Sequence, residues 1–224
     1  MDYSIDDIKR DVRIIIGENE NIEPFLNVEK GDPEDVCNVA NERDILTGKM
    51  INTAIDNVHS IASREMLYDV IQTISTHTDY DQYGGYSTMI LPNDFMRFIM
   101  LSDESWEVPV TDTISLESEA YKQLHSRFEG IRASIERPAA VVRTDGYRLT
   151  VEAYPTLVYP ALQYVAQSKQ KDNGTVTIAR LCYKAVLYLI ASLYYISIKE
   201  DESARRMELQ CRAMLGLTEN ESSQ

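Results

Sequence analysis

The sequence has few cysteines, the residues whose disulfides stabilise small extracellular domains. Its 224 residues include three cysteines, and also only nine glycines, seven prolines and one tryptophan. The cysteines Cys37, Cys182 and Cys211 are odd in number and far apart, and no Cys-x-x-Cys pair occurs. This spacing argues against a disulfide framework and a zinc knuckle, and reduced, largely buried thiols are expected. A chain of this length can bury a core without such staples.

Long hydrophobic runs are also missing. The longest run, Ala185 to Ile198, is shorter than the roughly 20 residues that a membrane span needs, and it contains serine and tyrosine. The first residues, Met1 to Asp7, contain no basic region followed by an apolar run, so no signal peptide is predicted. The run is interpreted as a buried core helix, and no membrane partner is expected.

Positive charge is scarce. Thirty-six acidic residues against 22 basic ones give a formal net charge of −14. Such a chain gains little from neutralising phosphates, which disfavours tight wrapping of nucleic acid, and an anionic membrane surface repels it. Two interpretations stay open: a surface charge that serves solubility, or a surface past which a polyanion slides without sticking.

Catalytic motifs are missing as well. The three histidines, His59, His77 and His125, do not stand at metal-ligand spacing. His77, Asp79 and Asp81 alternate in one loop, but the glutamate that closes a calcium-binding loop is absent, which favours a solvated loop. No P-loop, Gly-x-Ser-x-Gly or dinucleotide-binding fingerprint occurs. We therefore predict no catalytic residue, metal ligand or cofactor. A site assembled from distant residues, for instance around residues 77–86, would escape such a search.

What the sequence does contain is helical periodicity at both ends. Ser4 is a good N-cap for a short amphipathic helix that ends at Gly17, and residues 18–35 are predicted to form a loop. An apolar stripe predicts a second helix from Asn41 to Ala62. Further helices are predicted from Ser115 to Ile131, from a Thr177 cap to Ile196, and from Ala204 to Leu215.

Strand signals cluster in the middle of the chain. Short β-branched and aromatic runs predict strands at Ser87–Leu91, Phe95–Leu101, Trp106–Val110 and Leu162–Ala166. Between them, residues 139–154 predict a hairpin around Asp145-Gly146, a pair that suits a type I′ turn.

These elements predict an α+β, mainly α, fold class: a helical bundle with a small antiparallel β sub-domain inserted in it. The predicted boundaries are 1–75 for the N-terminal helices, 76–166 for the β-rich sub-domain with one helix, and 167–217 for the C-terminal helices. Residues 218–224 are predicted to form a tail.

Three short motifs carry a family resemblance. The segment Leu91 to Phe98 reads LPNDFMRF and resembles the LP-x-DF-x-R stretch of tail tubular A-like and adaptor proteins of tailed bacteriophages. In that family a helix follows, then a strand led by Arg-Pro and a strand that ends near Tyr-Pro. Here Arg137-Pro138 and Tyr154-Pro155 occur in the same order. The chain is also similar in style to ring proteins of crAss-like phages.

The resemblance implies a virion structural protein without catalysis. The expected partners are copies of the chain itself in a ring, the portal protein and the adjacent neck or tail protein. DNA would pass through the lumen without specific binding. The expected location is the virion neck, and the host cytoplasm during assembly. The interface candidates are Tyr80, Tyr83, Tyr86, Met207, Cys211 and Leu215. The alternatives are a non-viral helical binding or regulatory protein and an enzyme with a site around residues 77–86.

Overall fold

The protein divides into two compact units, one formed by Met1–Val70 with Ser168–Gln224 and the other by Ile71–Gln167. The computed structural model describes residues 1–17, 33–75, 80–83, 85–126 and 128–217. The side chains of residues 33–43, 80, 81, 83 and 129 are outside this description. The predicted tail, residues 218–224, and most of the predicted loop, residues 18–32, lie outside the described residues.

The first unit is mainly helical. Its elements are β1 (Asp2–Ser4), α1 (Ile5–Ile15), α2 (Pro33–Ile61), a 3₁₀ turn (Arg64–Leu67), β9 (Thr175–Thr177), a second 3₁₀ turn (Arg180–Cys182), α4 (Tyr183–Ser197) and α5 (Asp201–Met214). The Ser4 hydroxyl accepts the N–H of Asp6, which confirms the predicted N-cap. Helix α2 begins at Pro33, a favoured first helical residue, so the predicted loop at residues 33–35 is wrong.

Helix α4 occupies the centre of this unit. Its buried side chains cover more than one face: Ala185, Val186, Leu187, Ile190, Ala191, Ser192 and Tyr194. It packs against α1, α2 and α5, which confirms the prediction of a central helix. The predicted Thr177 cap is wrong, because residues 175–177 pair with Asp2–Ser4 as a two-stranded sheet. The Thr177 hydroxyl donates instead to Asp2 Oδ1 (2.7 Å).

The second unit is a β-sandwich. Its elements are β2 (Ile71–Ser75), β3 (Tyr80–Tyr83), β4 (Tyr86–Ile90), β5 (Phe95–Asp103), α3 (Glu119–Leu124), a 3₁₀ turn (Glu129–Ile131), β6 (Ala139–Asp145), β7 (Arg148–Tyr154) and β8 (Pro160–Ala166). The strands form antiparallel sheets of order β2-β8-β5 and β3-β4-β7-β6. Inner side chains of both sheets, among them Met89, Val151, Leu101 and Leu162, share one core.

The predicted fold class is therefore wrong. The molecule is a mixed fold of 40% helix and 28% strand with three antiparallel sheets, not a helical bundle with a small β insertion. The strands that the sequence did not predict have a physical reason to escape notice. Strand β2 is too short to show a clear period, and β1 and β9 pair across most of the chain.

The predicted hairpin is present, with a different turn. Strands β6 and β7 pair from Ala139↔Tyr154 to Asp145↔Arg148, so the two loop residues are Gly146 and Tyr147. Gly146 has φ +61°, and Lys199 is the one non-glycine residue recorded with positive φ among the described residues. Glycine at the first loop position with ordinary φ at the second is typical of a type II′ turn, not the predicted type I′ turn.

Candidate partner-binding surface

A long connection joins β5 to β6. It has 35 residues, 104–138, and those that the structure describes form only the six-residue helix α3 and one 3₁₀ turn. We call it the crossing segment. Connections of this length with so little regular structure are uncommon in compact domains and are often functional. Of the helix predicted from Ser115 to Ile131, only α3 forms as an α-helix. The predicted strand from Trp106 to Val110 is wrong, since within it only Val110 bridges to Leu101.

Side-chain hydrogen bonds end the helix early. The Ser118 hydroxyl caps α3 by accepting the N–H of Tyr121 (3.2 Å). Beyond His125, the Ser126 hydroxyl accepts the N–H of Phe128 (3.2 Å), and the Ser126 carbonyl accepts the Arg132 guanidinium. Such local bonds compete with the helical pattern. The apolar residues whose spacing predicted one long helix therefore belong to two short elements, α3 and the 3₁₀ turn Glu129–Ile131.

The crossing segment covers the outer face of the four-stranded sheet. Leu124 is buried with Ala139, Val141 and Tyr154 of the sheet, and the partly buried side chains of Ile114, Tyr121 and Ala133 pack against them. The N–H of Ile114 also donates to the carbonyl of Ala140 (2.8 Å), at the free edge of β6. The segment is thus held on the sandwich by packing and by the backbone.

A buried polar network lies beneath α3. Glu152 is 4% exposed. One oxygen of its carboxylate lies 2.6 Å from Nη1 of Arg143, and the other accepts the Tyr154 hydroxyl (3.0 Å). Nε2 of His125 lies 3.5 Å from that hydroxyl, and the His125 ring meets the rings of Tyr154 and Tyr121 edge-on.

This network suits anchoring better than catalysis. Burial and the neighbouring Glu152 raise the pKa of Tyr154, so its hydroxyl keeps the proton that it donates. Both Glu152 oxygens are engaged, and no nucleophile takes part in these bonds. Sequence reasoning missed this network. Its one visible signal is a glutamate in the otherwise apolar stretch Val151 to Tyr154.

The outer side of the crossing segment exposes large apolar side chains. Phe128 is 73% exposed, and four more apolar residues are also exposed: Val108, Leu116, Ile131 and Ile135. Backbone bonds keep most of them together, since Glu107 N–H donates to the Ile135 carbonyl (2.9 Å) and Ile131 N–H to that of Phe128 (3.1 Å). These bonds bring Val108 near Ile135 and Phe128 near Ile131, and neighbouring exposed apolar side chains are typical of a protein–protein contact.

Charge is divided along the crossing segment. Residues 104–118, the acidic leg, carry Glu104, Glu107, Asp112 and Glu117, and no lysine or arginine occurs between Arg97 and Lys122. Residues 126–137, the return leg, carry Arg127, Arg132 and Arg137 against Glu129 and Glu136. Among the described side chains, no ion pair engages the exposed Arg132 and Arg137 or the four acids of the acidic leg. Their charges face solvent.

The predicted tyrosine interface falls partly outside the described side chains. Tyr80 and Tyr83 begin and end β3, but their side chains are not described. Tyr86 is half-buried, and its ring stacks on Tyr154 with 5.1 Å between the centroids. Tyr86 therefore belongs to the support of the crossing segment.

The other predicted interface residues lie on the inner side of α5. Cys211 and Leu215 are buried, and Met207 is half-buried. Burial raises the pKa of the Cys211 thiol to about 11, and that of Cys182 likewise. Buried thiols of this kind are inert. These side chains offer little surface to a partner, and the exposed apolar residues of α5 are Leu209 and Met214.

No enzyme-like site is found among the described residues. His77 and Asp79 lie outside them, and within them no three histidine, cysteine or acidic residues group as metal ligands. A cavity of about 310 Å³ contains Asp103, whose carboxylate already accepts the N–H groups of Ser105, Val158 and Tyr159. A cavity of about 410 Å³ beside α1 contains Arg10 and Arg13, which pair with Asp7 and Asp44.

Comparisons with known proteins assign the chain to no family. No protein-family model matches the sequence, and no curated protein matches it significantly. Among the described helices, none is long and apolar enough to cross a membrane.

Proposed function

We propose that the chain is a subunit of a ring in the neck of a tailed bacteriophage. The ring would join the portal protein to the next tail component, leave a lumen for DNA, and carry no catalytic activity. The observation that supports the proposal is the order of three sequence marks that resemble the connector family. Each mark borders a strand of the same sandwich, so the resemblance concerns a coherent structural unit.

The first mark fixes the start of β5. Phe95 N–H donates to the Pro92 carbonyl (3.0 Å), which closes the turn. The Asp94 carbonyl accepts the N–H of Gln167 (2.7 Å), and its carboxylate accepts the Tyr164 hydroxyl (3.3 Å). The Leu91–Phe98 motif therefore joins β5 to the end of β8. Its role is to hold the fold, and the surface that meets a partner lies elsewhere.

The other marks border the hairpin. Arg137-Pro138 directly precedes β6, and β7 ends at Tyr154, which Pro155 follows. The crossing segment follows the first mark and ends with the second. A ring protein needs surfaces for its neighbours, and the exposed apolar and charged side chains of this segment supply one.

The charge of the chain also fits the proposal. Sequence charges give about −8 for the helical unit and −6 for the sandwich, which together make the formal −14. A lumen lined by such subunits repels the DNA backbone and lets it pass without sticking. The protein would act in the virion neck after assembly in the host cytoplasm.

Mass spectrometry of purified virions tests the proposal. The chain should be found at a stoichiometry of several copies per particle, together with the portal protein. Electron cryomicroscopy of the same particles should place it in the neck. A protein absent from virions but present in infected cells would overturn the proposal and favour a soluble binding protein. A metal-dependent activity abolished by His77→Ala would favour the enzyme alternative.

A further inference from the structure

We infer that the crossing segment binds a second copy of this chain, with the acidic leg of one copy against the return leg of the next. This inference deepens the proposed ring function and rests on it. The partner is argued from the charges of the segment itself, because the acidic leg has four carboxylates and no basic residue, whereas the return leg has three arginines against two glutamates.

The two legs meet where the Glu107 N–H donates to the Ile135 carbonyl (2.9 Å), and each has its own further supports on the sandwich. The acidic leg follows its edge, because Val110 bridges to Leu101 of β5 and Ile114 donates to Ala140 of β6. The return leg lies on the outer face of the four-stranded sheet, where Ala133 packs against the cluster around Tyr154. When each copy uses its acidic leg with one neighbour and its return leg with another, the contact is heterologous, and repeated heterologous contacts form a ring if the rotation between copies closes.

Each leg combines apolar and charged groups. The acidic leg exposes Val108 and Leu116 between its carboxylates, and the return leg exposes Phe128, Ile131 and Ile135 between its arginines. Exposed aromatic and arginine side chains are the usual energetic centres of an interface. Because the chain has a net charge of −14, the arginines of the return leg give the acidic leg of another copy an electrostatically favourable surface to bind.

The contact is smaller than a standard interface, which engages about 20–30 residues on each side. It uses the 15 residues of the acidic leg in one copy and the 12 residues of the return leg in the other, and each copy in a ring makes two such contacts. The contact of His125 with Tyr154 under α3 and the cap at Ser118 help to hold the segment in place before binding, which lowers the entropy lost on association.

Charge reversal tests the contact in the full-length chain. Variant R carries Arg132→Glu and Arg137→Glu, and variant E carries Glu107→Arg and Glu117→Arg. Mass photometry and sedimentation velocity should show assemblies of more than two copies for the wild type. Each variant alone should associate at least about tenfold more weakly, and an equimolar mixture should regain the assemblies, since opposite charges meet again.

Two further variants guard against misfolding. Phe128→Ser removes an exposed side chain and should weaken association about tenfold or more while the circular dichroism spectrum stays unchanged. Arg205→Glu with Arg206→Glu makes the same charge change on the exposed side of α5 and should leave association unchanged.

The outcomes separate this inference from the neck proposal. Three results would each overturn the inference: a monomeric wild type, a wild type that stops at the dimer, or an equimolar mixture of variants R and E that does not associate. Any of these results could occur with a protein that virion mass spectrometry finds in the neck. Conversely, absence from virions would overturn the neck function even if the charge-reversal pattern held.

Discussion

At the scale of single residues, two buried polar groups are held by few bonds each. Glu152 binds Arg143 and Tyr154 in the sandwich, and His59 accepts the N–H of Ala179 (3.2 Å) in the helical unit. Both side chains are nearly inaccessible to water. Buried polar groups cost free energy unless their bonds are complete, so both residues are sensitive points of the fold.

Glu152→Ala should destabilise the protein by about 1–2 kcal/mol, since the buried Tyr154 hydroxyl loses its acceptor, whereas the Arg143 side chain is 41% exposed and stays solvated. Arg143 and the Tyr154 hydroxyl both lose their acceptor. Urea unfolding measures the change. Tyr154→Phe, which removes one hydroxyl and leaves the ion pair, should cost about 1 kcal/mol. The exposed control Glu136→Ala should change stability by less than about 0.5 kcal/mol. A Glu152 effect as small as that of the control would contradict the anchoring role.

His59 should make stability depend on pH. Burial lowers its pKa from 6.5 to about 4, against the opposite influence of Asp56 and Asp69. Between those values the unfolded chain binds a proton that the folded chain does not, so stability falls as the pH drops from 7 towards 4. At pH 5 the loss is about 2 kcal/mol, at 1.36 kcal/mol per pKa unit.

Comparison with His59→Gln isolates this contribution. Glutamine can accept the Ala179 N–H but does not titrate. Urea unfolding at pH 7 and pH 5 should therefore show a smaller acid loss for the variant, by about 2 kcal/mol. Equal losses for wild type and variant would show that other groups carry the pH dependence.

At the scale of elements, helices and turns with local signals could be predicted from the sequence, and pairings between distant segments could not. The Ser4 cap, the central apolar helix and the hairpin around Gly146 depend on neighbours in sequence, and all three were predicted. The pairing of β1 with β9 joins residues more than 170 apart, so Thr177 looked like a cap. Propensity alone does not reveal such contacts.

The crossing segment shows the same limit for the candidate surface. Its apolar residues repeat at helical spacing, yet Leu116, Phe128 and Ile131 face solvent. Periodicity indicates which residues share a face and does not say whether that face is covered. The tyrosine and α5 residues proposed from sequence had the right chemistry for an interface, but burial of Cys211 and Leu215 is a property of the packed unit.

The connection between α4 and α5 offers a stabilising substitution. Lys199 follows α4 with φ +64°, and its N–H donates to the carbonyl of Ile196 (3.0 Å). Glycine adopts this left-handed conformation without the Cβ penalty, so Lys199→Gly should stabilise the protein by about 1 kcal/mol. Thermal unfolding should show a higher Tm for this variant. The control Lys199→Ala keeps the Cβ and should bring no gain; equal effects of both variants would show that the lysine charge matters instead.

At the scale of the whole molecule, the two units differ in their continuity along the chain. The sandwich is one uninterrupted stretch, Ile71–Gln167, whereas the helical unit is made of two stretches. The ends of the sandwich lie side by side, because Ile71 pairs with Val165 and Gln167 N–H donates to the Asp94 carbonyl. Its core cluster is formed by its own strands and the crossing segment. A stretch with neighbouring ends and its own core is able to fold alone.

The excised fragment 71–167 should therefore fold as a β-sandwich. Its circular dichroism spectrum should be that of a β protein, and its urea unfolding should be a single cooperative transition. The complementary chain, with a short glycine linker joining Val70 to Ser168, should remain helical. Its Ser168 still has Asp56 Oδ1 (2.7 Å) and the Asn52 carbonyl (3.0 Å) as partners in α2.

A mutation gives this experiment its internal control. Glu152→Ala should destabilise fragment 71–167 by about the same 1–2 kcal/mol as the full chain, because all partners of Glu152 lie within the fragment. His59→Gln should act only on the linked helical chain. If the fragment folds but Glu152→Ala has no effect in it, the bonds of Glu152 do not stabilise the isolated sandwich. If the fragment does not fold, the sandwich is not an autonomous domain, and the crossing segment needs the whole chain to keep its conformation.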